Sequence, residues 1–245
     1  MFDLTATANG FIFTCWVAGE DGVPEEVDDA PGFAKAQDAF IARVQEVFRG
    51  RPDLLRIITF LDNGLEVRLH CGRGFVDEDS EVYFFGSVQN EDDQLILEIS
   101  TEEVLLGARA GHEALDVVVH ELVHVLDHLD DPQGMLPFMD GDERREWVRL
   151  RDHEREKIED GASALDKYAL TNDMEFLAVA VETFFARPQA LAISSPKLFQ
   201  LIDRYFQVEP EEDAITMAAV RPVRSPTTSE ETVTLVMPGV DTEAN

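Results

Sequence analysis

Residues 116–131 read DVVVHELVHVLDHLDD, and this stretch determines how the rest of the chain is interpreted. His120, Glu121 and His124 form the pattern H-E-x-x-H. Side chains four positions apart share one face of an α-helix, so the two imidazoles can bind one Zn²⁺ ion together. Glu121 lies about 100° further round the helix, where it can take a proton from water at the metal instead of ligating. The other positions are mostly apolar, which predicts a helix buried in the core.

A catalytic zinc site needs a third protein ligand, and two candidates lie near this helix. His128 is too far along the helix to converge easily, so it is predicted to lie at the surface or near the helix C-terminus. Asp130 has the third-ligand position of the pattern H-E-x-x-H-x-x-G-x-x-[HD], but Asp127 replaces the glycine that this pattern requires. Asp127 itself lies seven residues past His120 on the same face, where it can orient a zinc ligand.

A third candidate, Glu175, begins a second apolar helix. With Asn172 as N-cap, Glu175 would complete a capping box that needs no metal. The apolar residues 176–181 predict, however, that this helix is buried from its first turn. Because a buried carboxylate requires compensation by a cation, Glu175 is the favoured third ligand. Histidines satisfied only by hydrogen bonds remain the alternative to a metal site.

The amino-acid composition argues against two classes of binding partner. The chain has 245 residues, with 50 acidic against 20 basic side chains and a net charge of −30, which argues against nucleic acid or an anionic membrane as partner. The N-terminus lacks the cationic region of a signal peptide, and no apolar run approaches the length of a membrane span, so a cytoplasmic protein is expected. Cys15 and Cys71 match no metal or disulfide spacing and are expected to be buried free thiols.

The order of the predicted elements indicates the fold class. Strands are predicted before residue 100 and helices after it, apart from one helix at 31–50, and this segregation favours an α+β fold with antiparallel strands packed against a helical half. The strands at 81–88 and 94–100 are expected to form a hairpin, whereas residues 54–61 are ambiguous between strand and helix. Residues 1–207 are expected to form one domain. Residues 208–245 are acidic and aperiodic and read as a disordered tail, in which 233–237 could add an edge strand.

Several motifs resemble the metallopeptidase family typified by Mlc titration factor A. They are HELVHVLDHLDDPQGMLP at 120–137, then Trp147, YALTNDMEFLAVAVETFF at 168–185, and Pro188. The resemblance implies a zincin-like metallopeptidase whose core spans residues 93–207, while residues 1–92 match the family poorly. The loop after the H-E-x-x-H helix is shorter here than in the family, with Asp131 at a position usually held by glycine.

The resemblance also implies roles for single residues. His120, His124 and Glu175 would bind one zinc ion and Glu121 would be the general base. Tyr168 would aid the transition state, with an ordinary core aromatic as the alternative. The spacing of seven residues from Tyr168 to Glu175 is similar to that of the catalytic domain of anthrax lethal factor.

A second glutamate of the family pattern matches Glu182. It lies seven residues past Glu175 on the same helix face, so it is predicted to support the metal site from behind a ligand, with a buried ion-pair partner as the alternative.

The favoured function is therefore a zinc peptidase that hydrolyses peptide bonds, with a peptide or protein substrate aligned along the strand at 94–100. The alternative is a zincin-like binding module that sequesters a regulatory protein such as a transcription repressor, as the resemblance suggests. A structural zinc site is the third interpretation, but it would require four closed ligands and only three good ones are visible.

Overall fold

A computed structural model of the chain describes residues 11–19, 24–60, 64–76, 83–91, 94–107, 116–129, 133–207 and 233–234. Its strands are β1 (Phe11–Ala18), β2 (Pro24–Val27), β3 (Leu65–His70), β4 (Phe75–Val76), β5 (Tyr83–Phe84), β6 (Gly86–Glu91), β7 (Gln94–Ser100) and β8 (Val233–Thr234). Its helices are α1 (Phe33–Val47), α2 (Pro52–Thr59), α3 (Thr101–Gly107), α4 (Val117–Asp127), α5 (Gly141–Glu159), α6 (Asp173–Ala186), α7 (Pro188–Ser194) and α8 (Pro196–Gln207). A short 3₁₀ helix, Lys167–Leu170, precedes α6. The fold is mixed α+β, as the order of the predicted elements indicated.

One sheet holds six of the strands in the order β2-β1-β3-β7-β6-β8, and β4 and β5 form a separate pair. The predicted hairpin is present, because β6 and β7 pair antiparallel from Gly86↔Ile99 to Glu91↔Gln94. β8 pairs antiparallel with the outer edge of β6 at Ser87 and Val88. β8 lies within residues 233–237, the segment that could add an edge strand. The rest of the predicted tail, 208–245, is outside the described residues.

The expectation of antiparallel strands throughout was wrong. β1, β3 and β7 run parallel to one another, whereas β2, β6 and β8 are antiparallel to their neighbours. β2, α1 and α2 lie between β1 and β3. β2 runs back antiparallel beside β1, and the two helices complete the connection to β3, as a parallel pair requires a crossover longer than a hairpin. The ambiguous stretch 54–61 belongs to this crossover, since α2 covers most of it.

α4 occupies the centre of the core, and all eleven of its residues are buried. It contacts α1, α3 and α6 as well as β6 and β7. Leu65, Val67 and Leu69 of β3 are fully buried in the same core cluster. Asp116 caps the helix, its side chain accepting a hydrogen bond from the Val119 backbone N–H at 3.2 Å. Among the described residues, no single helix has both the length and the apolar character needed to cross a membrane.

Candidate metal centre

The two histidines of the H-E-x-x-H pattern lie side by side on α4. Their ring centroids are 4.9 Å apart and the planes are inclined at 70°. His120 is fully buried and His124 is 1% exposed. Because α4 is buried on every side, its neighbours hold both rings in place, and the helical spacing turns both Nε2 atoms toward α6.

Glu175 completes this group from the first turn of α6. The Asn172 side chain caps α6 by accepting a hydrogen bond from the Glu175 backbone N–H at 2.8 Å. The Glu175 carboxylate is directed at the imidazoles, with Oε2 lying 3.1 Å from His120 Nε2 and 3.6 Å from His124 Nε2. One potential ligand atom from each of the three side chains lies within 4.8 Å of the others, so the group could hold a metal ion.

Two further predicted residues contact this group. The Tyr168 hydroxyl donates a hydrogen bond to Glu175 Oε1 at 3.1 Å. Glu182, two turns further along α6, has Oε2 at 3.1 Å from His120 Nδ1, on the side of the ring opposite Glu175. Its Oε1 accepts a hydrogen bond from the Asp116 backbone N–H at 2.9 Å. Glu182 therefore fixes the orientation of His120 and ties α6 to the start of α4.

Asp127 has a different role from the one predicted. Its carboxylate accepts hydrogen bonds from the backbone N–H groups of Gln133, Gly134 and Met135, at 3.0–3.2 Å. Helical spacing places it on the His120 face, but the loop after α4 folds back and engages this side chain. Asp127 thus organises a loop, and the contact to a histidine that was predicted for it is made by Glu182.

The other candidates on this part of the chain do not join the group. The Nδ1 of His128 donates a hydrogen bond to the His124 carbonyl at 2.8 Å, which agrees with its predicted position near the helix C-terminus. Asp130 lies outside the described residues.

Burial and close contacts shift the pKa values of ionisable groups in this cluster. Burial opposes protonation of His120, but hydrogen bonds to Glu175 and Glu182 outweigh it and raise its pKa to about 10. Burial lowers the pKa of His124 to about 4. Burial also disfavours ionisation of Glu175, yet its hydrogen bond with His120 and the proximity of both imidazoles lower its pKa to about 2. These shifts favour a neutral His124 and an ionised Glu175, the forms in which each binds a metal, whereas His120 would have to give up a proton for a metal to bind.

Glu121 is the clearest sign that something more belongs in this site. It is fully buried, and neither carboxylate oxygen has a hydrogen-bond partner among the described residues. His124 Nε2 is likewise unpartnered. Burial raises the pKa of Glu121 to about 8, against the attraction of His120. Unpaired polar atoms are costly in a core. A divalent cation on the His-His-Glu group with a water molecule beside it would satisfy these atoms, so the donor set fits a metal.

Gly86, the first residue of β6, also contributes to the site, although it was not among the candidates. A Cβ at this position would lie 2.5 Å from Glu121 Oε1 and 2.7 Å from its Cγ. The backbone of β6 therefore passes directly against the Glu121 side chain. An isolated glycine inside a strand pattern is the sequence signal for such an approach, and Phe85-Gly86-Ser87 carries it.

Gly86→Ala should lower the free energy of unfolding by about 1–3 kcal/mol, because the buried Glu121 has little room to move away from the added methyl group. Gly141→Ala is the matched control, since its Cβ would meet only the end of the Arg145 side chain, at 3.4 Å. We expect that control to stay within about 0.5 kcal/mol of wild type in urea unfolding. Equal stability of both variants would contradict the close packing of β6 on Glu121.

Arg43 is a second contributor that the sequence did not reveal. Its guanidinium binds Asp116 Oδ2 at 2.7 Å, and the Asp116 backbone N–H in turn donates to Glu182. A cation on α1 is thereby connected, through Asp116, to the glutamate behind His120. Residues this far apart in the sequence carry no local pattern that links them.

Comparisons with known proteins agree with this site. The sequence model of the glucose-regulated metallo-peptidase M90 family matches residues 34–207. An uncharacterized protein of Synechocystis sp. is 27% identical over 165 residues, which are 65% of this chain and 59% of that protein. Mlc titration factor A of Escherichia coli is 29% identical over 103 residues, 39% of each chain. The matched segments therefore cover less than two thirds of either relative.

The family match includes both helices of the His-His-Glu group and three of the six strands of the main sheet, β3, β6 and β7. The mixed α+β structure is consistent with a zincin-like metallopeptidase fold, and the family implies a metal ion for the site that His120, His124 and Glu175 could form. Since residues 34–207 make up well over half of the 245 residues, the chain belongs to the glucose-regulated metallo-peptidase M90 family.

Proposed function

We propose that this protein is a zinc-dependent peptidase that hydrolyses peptide bonds with water. The observation that carries the proposal is that potential metal ligands and an unpaired carboxylate lie together in the protein core. Three ligand-type side chains converge within 4.8 Å, and the Glu121 carboxylate beside them has no hydrogen-bond partner among the described residues. A purely structural metal site would have no use for such a carboxylate, whereas hydrolysis needs a base.

Each residue of the site has a separate role in the proposed hydrolysis. Zinc, when bound by His120, His124 and Glu175, would supply Lewis acidity and lower the pKa of water towards 7. Glu121 takes the proton of the attacking water and delivers it to the leaving amine. The Tyr168 hydroxyl, which donates to Glu175 Oε1 in this structure, would turn to the substrate carbonyl and stabilise the oxyanion that develops there.

An extended substrate needs a strand edge beside these groups, and here the sequence-based choice was wrong. The strand at 94–100 is β7, which pairs with β3 on one side and β6 on the other, so neither edge is open. We propose instead that the substrate pairs along β6, whose first residue, Gly86, packs against Glu121. β8 holds the outer edge of β6, so Val233–Thr234 must leave before a peptide pairs at the same positions.

A second candidate function is capture of a regulatory protein without cleavage. It is favoured by the burial of the site, since Glu121 is 0% and Glu175 2% exposed, and by similarity to a relative named as a titration factor. In this case the metal would stabilise the fold and the partner would bind elsewhere on the surface.

Removal and return of the metal tests the proposal. Zinc-loaded protein should cleave an unstructured protein such as casein, lose this activity with a zinc chelator, and regain it with Zn²⁺ but not with Mg²⁺, which prefers oxygen ligands. The fragments are identified by mass spectrometry. Failure of zinc-loaded protein to cleave any peptide library, together with an intact fold, would instead support the capture function.

A further inference from the structure

The two cysteines of the chain lie next to each other in space although 56 residues separate them. Cys15 Sγ and Cys71 Sγ are 3.6 Å apart. Cys15 is in β1 and Cys71 directly follows β3, the parallel neighbour of β1. Both are free thiols. Sequence spacing gave no reason to pair them, since the parallel arrangement of β1 and β3 is what brings them together.

We propose that Cys15 and Cys71 form a reversible disulfide when the protein meets hydrogen peroxide, and that this bond stabilises the sheet. The proposal concerns the described fold alone and does not depend on peptidase activity.

The geometry allows the bond with small movements. A disulfide needs an S–S distance of about 2.05 Å, so the sulfur atoms must approach by about 1.5 Å. Cys15 is held in β1, which pairs with β2 on one side and with β3 on the other. The Cys71 backbone N–H donates to the Trp16 carbonyl at 2.7 Å, so the parallel pairing of β1 and β3 continues as far as Cys71.

The two thiols have different accessibility, which sets the order of events. Cys15 is 2% exposed, and burial raises its pKa to about 12, with its contact to Cys71 adding to the shift. Cys15 therefore stays a thiol at neutral pH. Cys71 is partly exposed, so peroxide reaches it first.

The chemistry balances in two steps. The Cys71 thiolate attacks one oxygen of hydrogen peroxide, the O–O bond breaks, and hydroxide takes a proton to leave as water, giving a sulfenic acid. The Cys15 sulfur then attacks the Cys71 sulfur, the S–S bond forms and the S–O bond breaks. The leaving hydroxide takes the proton of the Cys15 thiol and departs as a second water. Two thiols and one peroxide thus give one disulfide and two waters.

The crosslink would join two strands of the sheet at a turn that is itself bonded to the rest of the fold. The Gly72 carbonyl accepts hydrogen bonds from Ser100 Oγ at 2.6 Å and from the Glu102 N–H at 3.1 Å. The turn at Cys71 is therefore tied to the junction of β7 and α3, and α3 packs on α4. Since the closed loop contains β2, α1, α2 and β3 in full, the crosslink removes considerable freedom from the unfolded chain.

Full-length protein should be treated with a small excess of hydrogen peroxide and then digested without reduction. We expect both thiols to become unreactive to a thiol reagent under denaturing conditions, the intact mass to fall by two hydrogen atoms, and one crosslinked peptide pair containing Cys15 and Cys71. The melting temperature should rise by about 5 °C or more and return to its starting value with dithiothreitol.

The Cys71→Ala variant is the control that retains the buried cysteine and should fold normally. It should give neither the mass loss nor the rise in melting temperature, and the Cys15→Ser variant should behave in the same way if it folds. The proposal is overturned by free thiols in treated wild type, by oxygen addition to Cys71 without a crosslink, or by a crosslink that leaves the melting temperature unchanged.

Discussion

Changing Glu121 to glutamine is expected to lower peptide turnover by about three decades or more while the protein keeps its zinc. Glutamine has nearly the same shape as glutamate and fits the same fully buried position against Gly86. It cannot accept the proton of the attacking water, so the chemical step loses its base. Turnover is measured on a fluorogenic peptide and zinc by elemental analysis of the same samples.

Glu146→Gln is the matched control for this variant. Glu146 lies on α5 with a partly exposed side chain, ion-paired with Arg204 at 3.1 Å, and its change should leave turnover within about two-fold. A Glu121→Gln enzyme as active as wild type would remove Glu121 from the chemistry. If no wild-type cleavage exists to lose and partner binding is unaffected by the change, the capture function is the better account.

The same variant should stabilise the metal-free protein. Burial raises the pKa of Glu121 to about 8 from its ordinary 4.5, so between these pH values the folded state holds a proton that the unfolded state has lost. Wild-type stability therefore falls as pH rises through this window, and glutamine removes the loss. With chelator present, Glu121→Gln should be more stable by about 1–3 kcal/mol at pH 8, with the difference shrinking toward pH 5.

The sequence predicted most reliably those features of the site that depend on residues close together in one helix. The spacing of His120 and His124, the buried character of α4 and the N-cap at Asn172 all follow from residues three or four positions apart. Glu175 was harder, because the capping-box pattern explained it without a metal. Its carboxylate turns instead to the imidazoles. A buried carboxylate and two buried imidazoles cost less free energy when they contact one another than when each is buried without a polar partner.

What the sequence could not predict depends on contacts between distant segments. The parallel direction of β3 depends on the whole connection through β2, α1 and α2, and the stretch 54–61, which α2 mostly covers, had an ambiguous pattern. Asp127 has the correct helical face for a histidine, yet the loop at 133–135 returns and binds it. The contact of Gly86 with Glu121 and that of Cys15 with Cys71 likewise need the order of strands in the sheet, which periodicity does not encode.

Loss of Glu175 should weaken zinc binding by about a hundred-fold or more, because it removes one of three proposed ligands, and even the partners behind ligands are worth about 10–100-fold. Glu175→Ala leaves His120 and His124 in place, held by α4 and by Glu182. Affinity is measured by competition with a chromophoric chelator at pH 7, where His124, with its pKa lowered to about 4, is already neutral.

Two further variants serve as comparisons for the zinc affinity of Glu175→Ala. Asp173→Asn changes a neighbouring carboxylate in the first turn of α6 that is ion-paired with Arg155 at 3.0 Å, and it should leave zinc affinity unchanged. Glu182→Gln should weaken binding by about 10–100-fold, since the amide still reaches His120 Nδ1 but lacks the charge that supports the ring. Because Glu175 is a proposed ligand and Glu182 only supports one, loss of Glu175 must exceed the Glu182 effect. Zinc held equally well by Glu175→Ala and Asp173→Asn would remove Glu175 from the proposed site.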